Sequence, residues 1–136
     1  MIIVPPAAQP GSSGKAGSQF TGQVFPYLTM PSTDGVVVNT VDFTPCARTY
    51  WHRHERGQIL VVLAGCGLIQ AENGPVRLLR AGDTVWAPPD ERHWHGGSTD
   101  SYMVHTAISL GTTHWEEEVS EDEYRAAPVD EVGDAH

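Results

Sequence analysis

Between Gln19 and about Leu110 the chain repeats one pattern. Short runs rich in valine, isoleucine, threonine and aromatics alternate with clusters of glycine, proline, asparagine or aspartate. Residues 36–43 are β-branched and stop at Thr44-Pro45. Residues 49–54 form a second run. Residues 58–64 are almost continuously apolar, which fits a strand buried on both sides, and Gly65-Cys66-Gly67 reads as the turn that ends it. Glu72-Asn73-Gly74-Pro75 carries an Asn-Gly turn signal. Residues 76–79 and 83–87 flank Ala81-Gly82, Pro88-Pro89-Asp90 makes another turn, and residues 101–110 form the last long strand. Strands spaced this way predict an all-β sandwich or barrel over residues 19–112.

The ends read differently. Residues 5–18 are rich in proline, glycine, serine and alanine, so 1–18 is expected to be a flexible arm. Met1 to Val4 could add a short strand to another element or subunit. Within residues 113–127, Ser120 followed three positions later by Glu123 has the spacing of a helix N-cap and predicts a short helix. Residues 128–136 are expected to be a frayed acidic tail.

Seven histidines stand in 136 residues. His52 and His54 are two apart, so on a strand they share a face, with Tyr50 beside them and Trp51 and Arg53 opposite. Two neighbouring imidazoles can reach one ion at about 2.0–2.1 Å each. His93 follows a strand and a tight turn and supplies a third imidazole. His95, two further on, faces the same side in extended chain, as a general base or as a partner of the ligands. His114 and His136 join no such constellation. Of the four tryptophans, Trp94 is the one expected to reach the rim as a substrate contact, with Tyr50.

These residues resemble the cupin pattern, G-x5-H-x-H-x3/4-E-x6-G followed by G-x5-P-x-G-x2-H. Cys46 stands at the first glycine, then His52, His54, Gln58 in the glutamate position, and Gly65. The second half runs Gly82, Pro88, Asp90 for glycine, and His93. The resemblance is close over 46–93 and looser over 20–126. It implies a single-domain jelly-roll β-barrel holding one divalent metal on His52, His54, Gln58 and His93. Gln58 adds no negative charge, so the ion keeps its full +2 and suits Lewis-acid work. Within the family, residues 47–52, Gly57-Gln58, 64–67 and His93-Trp94-His95-Gly96 are similar to the small bacterial hydroxynitrile lyases, which use manganese. That likeness implies manganese, with iron or zinc as alternatives. It places His105 in the barrel near the metal, with His95 and His105 as the catalytic pair, and a small hydroxyl- or carbonyl-containing substrate. An iron-dependent dioxygenase or a non-catalytic binding barrel are the alternative functions, and a homodimer is the expected assembly.

Charge narrows the partners. With 8 basic and 17 acidic residues the net charge is −9, so there is no basic patch to release counterions from nucleic acid or to seek anionic lipid. No apolar run approaches the length of a membrane span, and the N-terminus lacks the pattern of a secretory signal, so a cytoplasmic protein is expected. Cys46 and Cys66 form no CxxC pair and read as small buried residues.

Overall fold

The computed structural model describes residues 1–6 and 19–130, and among these the alternating pattern becomes eleven strands and one helix. In chain order they are β1 (Phe20–Thr21), β2 (Val24–Thr33), β3 (Val36–Phe43), β4 (Arg48–Thr49), β5 (His52–His54), β6 (Gln58–Ala71), β7 (Arg77–Arg80), β8 (Thr84–Ala87), β9 (His93–Gly97), β10 (Met103–Leu110), β11 (Thr113–Trp115) and α1 (Glu121–Tyr124). The main path runs β1-β4-β9-β6-β10-β3-β2, with β7 and β8 on β6, and β5 between β9 and β11. All these pairings are antiparallel, and together they make a nearly closed barrel. No helix among the described residues is long and apolar enough to cross a membrane. The arm expected over 1–18 lies mostly outside the described residues. Met1 to Val4 form no strand within the chain.

Strand β6 organises the barrel. It does not stop at Gly65-Cys66-Gly67, as the glycines suggested, but runs through them to Ala71. Its first half pairs with β10 and β8, its second with β9 and β7. The change of partner falls at Gly65, where φ is +76° and an added Cβ would strike the Tyr102 carbonyl oxygen. The register against β10 skips Leu63 at the same place. This is a bulge that bends one strand from one sheet into the other, and glycine is the residue that admits it. The run is also not buried on both sides. Gln58, Leu60 and Val62 are buried, whereas Ile59 and Val61 are half-buried and Leu63 is exposed, because one face looks outward. Cys66, expected inside, is exposed just past the bulge, and Cys46 is partly buried.

Two apolar clusters flank the sheet. Val24, Val41, Phe43, Ala47, Val62, Leu79 and Met103 make one, and the rings of Phe43, His95 and His105 pack together beside them. Trp51, Leu68, Val76, Trp94, Val119 and Tyr124 make the other, beneath the C-terminal segment. Ser120 caps α1 in a full capping box with Glu123. Tyr124 donates its hydroxyl to the Gly97 carbonyl at 2.7 Å, and buried Arg48 stacks 4.4 Å from the Tyr124 ring centroid. The sheet continues past residue 112, since Thr113–Trp115 pairs with His52–His54. Part of the tail is docked. Val129 bridges Arg77, bonds to Val76 and Leu78 through its backbone, and is followed by Asp130 on Arg80. Residues 131–136 lie outside the described residues.

Candidate metal centre

The histidines converge because three pieces of backbone are tied together. The strand expected over 49–54 is interrupted at Tyr50 and Trp51, leaving His52 and His54 on β5. His52 pairs directly with His93 on β9. The turn before His93 is pinned by the Asp90 N–H donating to the His54 carbonyl at 2.9 Å. Cys46 and Asp90, which replace the two family glycines, hold φ values of +71° and +62°. The backbone therefore keeps the left-handed geometry that glycine adopts freely, and aspartate tolerates it better than most residues.

His52, His54, Gln58, His93, His95 and His105 are all buried. Ring centroids are 4.5 Å apart for His52 and His93, 5.0 Å for His52 and His54, 5.2 Å for His52 and His95, and 5.6 Å from His93 to both His54 and His95. Among the described residues, His52, His93 and His95 bring ring nitrogens within 4.8 Å of one another. His54 flanks that trio beside His52 and His93.

Each expected ligand histidine has its outer nitrogen occupied. His52 Nδ1 meets the Tyr50 carbonyl at 2.8 Å, and His93 Nδ1 meets the Glu91 carbonyl at 2.9 Å. A carbonyl only accepts, so both Nδ1 atoms carry protons and both Nε2 atoms present lone pairs inward. His54 Nδ1 lies 2.9 Å from Thr113 Oγ1, and its buried Nε2 makes no hydrogen bond among the described residues. Such outer bonds orient imidazoles around a metal. Gln58 donates Nε2–H to Ser109 Oγ at 3.0 Å, which aims Oε1 at His93 Nε2, also 3.0 Å away. Two lone pairs thus face each other. Two ligands at right angles on one ion with bonds of about 2.1 Å stand about 3.0 Å apart, so the donor set fits a cation.

Burial keeps the cluster neutral. Loss of water is the main cause that lowers the pKa of all five buried histidines: His52 and His95 well below the usual value, His93 below it, and His54 and His105 to about 4. Neighbouring imidazoles push His52, His54 and His95 down further. Neutral imidazole is the form that binds metal. It also predicts acid sensitivity. In the unfolded chain these groups take up protons near pH 6.5, whereas His54 and His105 in the fold resist until about pH 4. Across that window the unfolded state binds more protons, so acidification favours it. Metal-free protein is expected to show a urea midpoint that falls progressively from pH 7 to pH 4.5. A flat profile would contradict the buried neutral cluster.

A family model described as the cupin domain matches residues 39–109, just over half of the chain. This chain is a cupin. The cupin is 40% identical to the (R)-mandelonitrile lyase of Granulicella tundricola, with 84% of this chain and 92% of the relative covered. It superposes on a cupin-like protein from Thermotoga maritima with a TM-score of 0.80, 39% identity, and coverage of 84% and 92%. A DMSP lyase from Ruegeria pomeroyi matches at a TM-score of 0.60 and 20% identity, covering 76% and 54%, which is a likeness of fold.

The cupin brings His52, His93 and His95 within reach of one metal ion, with His54 and Gln58 against His93 and with His105 behind His95. Trp94 does not join them. It is fully buried between Trp51 and Tyr124 and donates Nε1–H to Gln70 Oε1 at 2.9 Å. The cause is strand parity, since His93 and His95 point inward and the residue between them must point out. Tyr50 contributes its carbonyl to His52. His114 is exposed. Thr113, which bonds His54, and Trp115, whose ring lies 4.7 Å from that of His52, join the site without a sequence motif to mark them. Their signal is weak because β11 has only three residues.

Proposed function

We propose that this cupin is a metal-dependent lyase that cleaves and forms the carbon–carbon bond between cyanide and the carbonyl carbon of a small aldehyde. The observation that carries the reading is the all-neutral donor set of His52, His54, Gln58 and His93, with a second imidazole pair beside it. The 40% identity to a mandelonitrile lyase supports the choice of reaction. A divalent cation there, manganese in this reading, supplies Lewis-acid polarisation of the substrate oxygen.

The remaining chemistry belongs to the chain. His95 Nδ1 lies 3.0 Å from His105 Nε2, and His95 Nε2 is buried without a partner. With Nδ1–H donated to His105, the free Nε2 lone pair accepts the hydroxyl proton of a cyanohydrin. The oxygen's electrons form the carbonyl, the carbon–carbon pair leaves with cyanide, and His95 Nε2 returns its proton to cyanide. Synthesis runs the same steps backwards. Burial excludes water that would compete for the proton.

Two measurements test this. Metal-loaded protein is expected to release benzaldehyde from mandelonitrile, and no turnover in either direction would overturn the reading. His54→Ala is expected to lose metal while His95→Ala keeps metal and loses turnover. The opposite result would make His95 a ligand.

A further inference from the structure

We infer that Trp115, with Phe20 behind it, is the aryl-recognition wall of this centre, the residue that sets its preference for aromatic over short aliphatic aldehydes. This rests on the lyase reading above. Trp115 pairs across the sheet with His52, so both side chains share one face. The indole lies 4.7 Å from the His52 ring and 5.8 Å from that of Phe20. Phe20 lies 6.3 Å from Phe43. Phe43 meets His95 edge-on at 5.8 Å and His105 at 5.2 Å.

These rings form an arc from the buried histidine pair to the surface, and burial falls along it. Phe43 is fully buried, Phe20 is half-buried, and Trp115 is 38% exposed. Of the two non-histidine rings that contact the histidines among the described residues, only that of Trp115 reaches solvent. The side on which the cluster meets solvent through Trp115 is therefore aromatic. The three rings carry no charge, so they offer no ion pair to a carboxylate. A flat apolar ring held against the indole loses water and gains an aromatic contact, while a short alkyl chain leaves the indole wet.

The experiment compares the parent with Trp115→Leu and Trp115→Phe, all metal-loaded. Cyanide addition to benzaldehyde and to propanal is followed by kcat and KM, and binding of a fluorinated benzyl alcohol by fluorine NMR. Trp115→Leu is expected to lower the benzaldehyde-to-propanal ratio of kcat/KM about tenfold, chiefly through KM for benzaldehyde. It is expected to weaken benzyl alcohol binding by a similar factor. Trp115→Phe is expected to recover most of both. A ratio unchanged within twofold would overturn the assignment, because damage to His52 alone would slow both aldehydes alike. If the parent turns over neither aldehyde, the lyase reading fails and the NMR arm decides alone. Binding that weakens in Trp115→Leu and returns in Trp115→Phe then upholds the wall, and no binding by the parent, or equal binding by all three proteins, removes it.

Discussion

His93→Ala is expected to strip the centre of its cation, with metal content falling from about one equivalent to below a tenth by elemental analysis and turnover falling with it. His93 occupies the middle of the cluster. Its ring is the nearest neighbour of His52, touches the environments of both His54 and His95, and places Nε2 3.0 Å from Gln58 Oε1. Removing it takes away one donor, while Ser109 still orients the Gln58 amide. Loss of an outer partner alone typically costs 10–100-fold in metal affinity, so loss of a central donor is expected to cost at least about 100-fold. The exposed His114→Ala serves as the control and should retain full metal. Full occupancy in His93→Ala would mean that the cluster is not the site.

Trp94→Ala is expected to act on stability rather than on substrate. The indole is fully buried against Trp51, Leu68 and Tyr124, its ring centroid 5.7 Å from that of Tyr124. Truncating a core tryptophan costs about 3–5 kcal/mol. The half-buried Gln70 Oε1 also loses its donor, which adds about 1 kcal/mol. Urea unfolding should show the loss as a lower midpoint. Trp94→Phe should recover most of the packing and lack only the hydrogen bond. An alanine variant as stable as the parent, but with altered KM, would return Trp94 to the substrate.

The contrast between residues 93 and 94 shows what a sequence reader can extract. The three-residue spacing from Asp90 to His93, after two prolines, announced a turn that returns an imidazole to His52. The structure has that turn, with aspartate in the left-handed region. Strand parity then separates His93 and His95 from Trp94, so the signal that places Trp94 outside was already present. Other features had no such signal. Gly65 resembles a turn glycine because a turn and a bulge both ask for positive φ, and only pairing on both sides of β6 tells them apart. Thr113 and Trp115 sit about sixty residues from the histidines they touch, on a strand too short to show alternation. The approach of His95 to His93 follows from their two-residue spacing, whereas its approach to His52 depends on the register of β9 against β5, which no local pattern encodes.

The docked tail has a consequence for how these molecules behave in company. Among the described residues strand β7 lies at a margin of the barrel, with β6 as its strand neighbour on one side. On its other side Val129 takes up the Leu78 N–H, and Asp130 grips Arg80. A bare margin would offer that row of donors and acceptors to an extended segment of another molecule. By placing Val129 and Asp130 there, the chain covers part of that template for self-association, so removing the two residues would leave a stickier edge.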